Sequence, residues 1–106
     1  MHTKIEELHI AYLDKNRRVR CVTRNTGDAG AVEMDPAQAL RIALWLGTKS
    51  LIVAHNHPSG DPEPSRADHA ATRRLCDAAK LLNLRIHDHI VIAGNRHWSF
   101  RAAGLM

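Results

Sequence analysis

The sequence predicts a single α/β domain, a mixed sheet flanked by two helices in the order β-β-α-β-α-β-β. Three observations lead there. A chain of 106 residues has length for one small domain and one core. Its 44% hydrophobic and 25% charged residues give the ordinary globular balance. Short strand-like apolar runs are interrupted twice by longer runs with helical period. There is no internal repeat, low-complexity tract or linker, so residues 1–106 read as one domain.

IEELHIAYLD (5–14) reads as a strand, Asp14-Lys15-Asn16 as a turn, and RVRCVTR (18–24) as the returning strand. NTGDAG (25–30) is rich in turn residues and reads as a loop. In MDPAQALRIALWLGTK (34–49) Asp35 can cap a helix, Pro36 suits its first position and Gly47 can stop it. Its body is apolar nearly all round, with Arg41 its only charge. That predicts burial on more than one side, under a sheet or in a homodimer contact. SLIVA (50–54), ending at His55, predicts a central strand covered on both faces. After a proline-rich loop to Pro64, SRADHAATRRLCDAAKLLN (65–83) predicts a long helix capped by Ser65, with the stripe Ala71, Leu75, Ala78 and Leu82. LRIHDHIVIAG (84–94) is a strand, Gly94-Asn95 a turn, and HWSFR (97–101) a last short strand.

The formal charge of +4 would suit nucleic acid, but the basic clusters Arg17-Arg18-Arg20 and Arg73-Arg74 are short and scattered. Aromatic residues are only 4%, which argues against a base-stacking platform. No run of about eighteen apolar residues is present, so no membrane span is expected, and MHTKIEELHI lacks the apolar core of a signal peptide. Cys21 and Cys76 fit no disulfide framework. They are expected to be reduced, partly buried thiols in a cytoplasmic protein.

The chemistry concentrates in AHNHPSGDPEPSRAD (54–68). If the chain stays extended after the central strand, His55 and His57 point the same way. Pro58 holds His57 out of the helical region, and Pro58, Pro62 and Pro64 stiffen the loop that follows. Asp68 falls one turn into the next helix, three residues before Ala71 and seven before Leu75, so it faces inward. Two imidazoles and a carboxylate aimed at one point make a three-ligand Zn²⁺ site with a fourth position open for water. Taken singly, these residues have structural readings: Ser65-x-x-Asp68 is a capping box, and the histidines can simply end a strand. Ser65 can cap and also hydrogen-bond an oxyanion. A hydrolase needs a separate base, because Asp68 is a ligand. The candidates are Glu6, Glu7, Glu33, Asp61 and Glu63. Glu6 is preferred because it shares a strand face with Leu8, Ile10 and Tyr12, where burial would raise its pKa.

The His55-Asn56-His57-Pro58 run with Ser65 and Asp68 resembles the JAMM signature of the JAB/MPN metalloproteases. The fuller HNHPSGDPEPSRAD resembles the RadC family within that superfamily, as do Glu6 to Asp14, Asp88-His89-Ile90 and Trp98-Ser99-Phe100 to Leu105. The resemblance spans nearly the whole chain. It implies a cytidine-deaminase-like fold and a bound zinc, with His55, His57 and Asp68 as ligands, Glu6 activating water and Ser65 supporting the oxyanion. It implies a metallopeptidase or isopeptidase-type hydrolase, in which a metal-bound water attacks an amide carbonyl of a peptide substrate. A metal-stabilised interaction module without turnover and a DNA-repair-associated, nucleic-acid-binding protein are the alternatives. RadC proteins usually carry an N-terminal region of helix-hairpin-helix character, which these 106 residues do not contain, and Pro36-Ala37-Gln38 stands where the family commonly has Pro-Arg-Glu. Asp88 or His89 is expected to support the first site by hydrogen bonding, His69 to face solvent, and Trp45 and Trp98 to be core or contact residues.

Overall fold

The computed structural model describes residues 5–28 and 34–106. Its elements follow the expected order: β1 (Ile5–Leu13), β2 (Val19–Asp28), α1 (Pro36–Leu46), β3 (Ser50–Asn56), α2 (Arg66–Leu81), β4 (Arg85–Ala93) and β5 (Arg96–Ser99). The sheet order is β2-β1-β3-β4-β5. β3 lies at its centre, antiparallel to β1 and parallel to β4. A parallel neighbour needs a crossover, and α2 supplies it.

Local chemistry sets the element ends. The Asp35 carboxylate accepts from the Gln38 N–H, and α1 ends at Gly47 with φ 71°, a left-handed conformation that glycine adopts without strain. Asp14 closes the first turn by accepting from the N–H groups of Asn16 and Arg18. β2 is longer than expected. Residues 25–28, which read as loop, stay in the strand and pair with Ile5–Leu8. The long β1 offers them a complete ladder partner, and that outweighs their turn propensity.

Both helices lie on one face of the sheet. The core joins Leu8, Ile10 and Tyr12 of β1 and Leu51 and Val53 of β3 to Ala39, Leu40 and Ala43 of α1 and Leu75 and Ala79 of α2. The expectation that β3 is covered on both faces is therefore corrected: Leu51 and Val53 are buried, while Ile52 and Ala54 between them are only half-buried. On that open face Val22 and Ile92 are exposed. Within this chain the sheet buries α1 on one side only: Ala39, Leu40 and Ala43 are buried. Trp45 is 85% exposed and so is not a core residue of this chain, which leaves the expectation of a contact between copies as it was. The stripe of α2 is also rotated by one residue: the buried positions are Thr72, Leu75 and Ala79, while Ala71 and Ala78 are half-buried and Leu82 exposed. Alanine is small enough to sit at the edge of a buried stripe, so apolarity alone cannot centre it. Among the described residues, no helix is long and apolar enough to cross a membrane.

Leu75 is fully buried, so Leu75→Ala is expected to lower unfolding free energy by about 3 kcal/mol. Trp45→Ser is expected to change it by less than about 0.5 kcal/mol. Urea unfolding of the two variants checks both.

Candidate metal centre

The carboxyl end of the central strand carries His55, and the loop after it carries His57. The His57 N–H donates to the Ile92 carbonyl at 2.8 Å, which continues the β3–β4 pairing one residue past the strand. His57 is thereby held extended, as the following Pro58 favours. Its Nδ1–H donates to the Asp61 carbonyl at 2.9 Å. A carbonyl only accepts, so in the neutral ring Nε2 carries a lone pair and faces inward.

Asp68 comes from α2. It stands on the helix face that Thr72, Leu75 and Ala79 bury, at steps of four, three and four residues. The capping box is formed: Ser65 Oγ accepts from the Asp68 N–H at 3.0 Å, and Asp68 Oδ2 accepts from the Ser65 N–H at 2.8 Å. The same carboxylate reaches the histidines, with Oδ2 3.1 Å from His57 Nε2 and Oδ1 3.4 Å from His55 Nε2. The two Nε2 atoms are 3.0 Å apart. One ligand atom from each of the three residues lies within 4.8 Å of the others. Ligands about 2.1 Å from a tetrahedral ion stand roughly 3.3 Å from one another, so the triangle suits a small divalent cation. Burial alone would raise the Asp68 carboxyl, but hydrogen bonding to His55 and to the Ser65 backbone outweighs it and holds the group well below the usual carboxylate range. The residue is thus an anion, as a ligand must be.

Behind the triangle runs a line of hydrogen bonds. His55 Nδ1 lies 2.7 Å from Nε2 of His89; with an ion on His55 Nε2 the proton of that ring would sit on Nδ1 and be donated to His89. His89 would then keep its own proton on Nδ1, 2.5 Å from Thr72 Oγ1. The His89 ring is stacked on Phe100, centroids 4.7 Å apart at 12°. Burial, with smaller effects from nearby charges, lowers its pKa from 6.5 to about 3, so the ring is neutral and able to accept. Asp88, the other candidate support, turns elsewhere and binds Ser99 Oγ and the N–H of Arg101. Thr72 gave no signal in the sequence beyond its place four residues after Asp68.

The two glutamates of β1 separate by parity. Glu6 lies on the face of Leu8, which pairs with His55, and has no hydrogen bond or ion pair among the described residues. Glu7 points the other way, 3.2 Å from His9 Nε2 and 3.9 Å from Arg24. Asn56, which sequence reasoning passed over, grips the chain on both sides of Glu6: its Nδ2 donates to the Ile5 carbonyl and its Oδ1 accepts from the Glu7 N–H. Asp61 and Glu63 are exposed. Glu33, the remaining candidate base, lies outside the described residues. His69 is exposed as expected, yet its ring also meets Phe100 edge-on at 5.2 Å. His87 and His89 form no second cluster with metal-ligand spacing among the described residues.

A sequence profile of the RadC-like JAB domain matches residues 1–105. The chain belongs to the RadC-like JAB family. Curated relatives carry the name UPF0758. One from Rhodobacter capsulatus is 42% identical over 106 residues, 99% of this chain and 50% of that protein. One from Symbiobacterium thermophilum is 37% identical over 108 residues, 99% of this chain and 45% of that protein. UPF0758 protein YeeS of Escherichia coli is 36% identical over 102 residues, 95% of this chain and 69% of that protein. This RadC-like domain therefore spans about half the length of the first two relatives. Its mixed sheet, two helices and His-His-Asp group are those expected of the family.

A hydrogen-bond acceptor behind a metal-bound imidazole typically contributes 10- to 100-fold in metal affinity. His89→Leu is expected to weaken zinc binding by about that factor, and His89→Gln, which keeps an acceptor near the same place, to restore most of it. Competition with a chromophoric chelator measures both.

Proposed function

We propose that the domain is a zinc-dependent hydrolase of amide bonds, acting on a peptide or isopeptide. The observation that carries this reading is the His55–His57–Asp68 triangle, whose three ligand atoms converge from two elements and a loop. An ion there would leave one coordination position open and supply Lewis acidity and an acidified water. The surrounding side chains divide the remaining work. His55 and His57 would hold the ion through Nε2, with Nδ1 engaged by His89 and by the Asp61 carbonyl. Asp68 would contribute the anionic ligand. Glu6 takes a proton from water and returns it to the leaving amine, a role open to it because no group among the described residues holds its carboxylate. Ser65 Oγ accepts from the Asp68 N–H, which leaves its O–H available to an oxygen gaining negative charge. The free thiols of Cys21 and Cys76 support a reducing compartment, the cytoplasm.

Elemental analysis of the purified protein is expected to find about one zinc per chain; a protein that stays metal-free after zinc reconstitution would sink the proposal. Glu6→Gln should keep the metal and lose cleavage of a peptide library, and retained cleavage would reassign the base. Asn56→Ala is expected to keep the metal while lowering turnover at least about tenfold, through misplacement of Glu6. Zinc uptake by the wild type without cleavage of any library member would support the interaction module instead.

A further inference from the structure

A cavity of about 290 Å³ opens beside the triangle, with His55 and Asp68 among its lining residues. That is the low end of the usual ligand-pocket range, about 300–1,000 Å³, so it takes a short segment of chain. One wall is α2, where Ala67, Ala70 and Ala71 lie at helical steps of three and four and leave a trough that longer side chains would fill. Leu8 and Met34 make an apolar wall, and Arg74 is the only arginine or lysine among the described residues of the lining. Arg74 makes no hydrogen bond or ion pair among the described residues, whereas the adjacent Arg73 pairs with Asp77. A guanidinium with no partner among the described residues, beside a wall of small and apolar side chains and across the cavity from His55 and Asp68, suits a carboxylate, which it can grip through two parallel hydrogen bonds.

The spacing says where on a substrate that carboxylate falls. From Asp68 to Arg74 the helix advances about 9 Å. A helical side chain leans back over the preceding turn, so along the axis the guanidinium stands roughly one turn, about 5 Å, beyond Asp68, and around the helix it is offset from Asp68 by about 120°. An extended peptide advances about 3.3 Å per residue. We infer that the cavity is a substrate subsite, in which the three alanines accept a small side chain and Arg74 binds a carboxylate one or two residues from the scissile carbonyl. The preferred substrates are then peptides with an anionic group at that distance, either the C-terminal carboxylate or an Asp or Glu side chain. This rests on the metal-centre reading above.

The test uses binding to the zinc-loaded chain by calorimetry, with hydroxamates as metal-directed probes. Acetohydroxamate, which has no tail, reports the metal site. Hydroxamates with a two-residue tail report the subsite: in one pair an alanyl tail ends in a free carboxylate or in a carboxamide, and in a second pair the tail is amidated and carries Glu or Gln. A carboxylate-bearing probe is expected to bind about tenfold tighter than its neutral counterpart. Arg74→Gln should bring that ratio close to one, and Ala70→Leu should weaken every tailed probe while acetohydroxamate binds as before. Preference for the free carboxylate identifies chain-end recognition and preference for the Glu probe identifies an internal acidic residue; either supports the subsite. Equal affinity for charged and neutral tails, or a preference that survives Arg74→Gln, overturns it and leaves the metal centre standing. Failure of acetohydroxamate to bind overturns the metal-centre reading and the subsite with it.

Discussion

The site depends on two short runs of polar groups that meet in the interior. One runs from Thr72 on α2 to His89 on β4 and His55 on β3, the other from the Asp61 carbonyl to His57. The Nε2 atoms of His55 and His57 face each other at 3.0 Å where the runs meet, and the other nitrogen of each ring is engaged from behind. A buried imidazole without a partner would be costly. Among the described residues, no buried side-chain nitrogen or oxygen lacks one. The packing therefore fixes not only where the two ligand histidines stand but which nitrogen each presents. That is the difference between three residues that happen to be close and a site prepared to take an ion.

A neutral acceptor behind His55 has a chemical consequence. A carboxylate in that place would push electron density onto the metal-bound ring and reduce the Lewis acidity of an ion held by it. His89 accepts the proton without adding charge, and the stacked Phe100 ring keeps it dry and neutral. Asp88, one residue away, is a carboxylate that could have served, but Ser99 and Arg101 take it to the other face to anchor the C-terminal segment. The alternation of strand faces thus separates a tuning residue from a scaffolding one.

Asp68 shows how economically a small domain places an anion. Its carboxylate completes the capping box of α2 and meets both histidines with the same two oxygens. The helix terminus favours negative charge there, so the fold stabilises the ligand in its ionised form before any ion arrives. The two readings weighed for Ser65-x-x-Asp68, cap or metal site, are therefore compatible: the capping box is formed and the same carboxylate stands beside both histidines. Asn56 plays the matching part on the strand side. Its amide bridges the peptide groups flanking Glu6, where the β1–β3 ladder has already ended at the Leu8–His55 pair.

Much of this was legible in the linear order of residues. Asp35, Pro36 and Gly47 bounded α1, Pro58 announced an extended His57, and period-two spacing put Glu6 with Leu8, because capping, proline sterics and strand alternation act between near neighbours. What the line of residues could not carry was how faces are shared out between elements. Residues 25–28 became strand because β1 was long enough to pair with them. The stripe of α2 centred on Thr72 because β4 presents His89 to it. Both helices took the same face of the sheet, leaving Trp45 uncovered by this chain and Ile52 half covered. The sequence by itself determined the His-His-Asp group and its spacing, since those depend on bonds a few residues apart; only the tertiary structure decided which groups stand behind them, since a hydrogen bond from β4 to β3 exists only once the parallel crossover has brought the strands together.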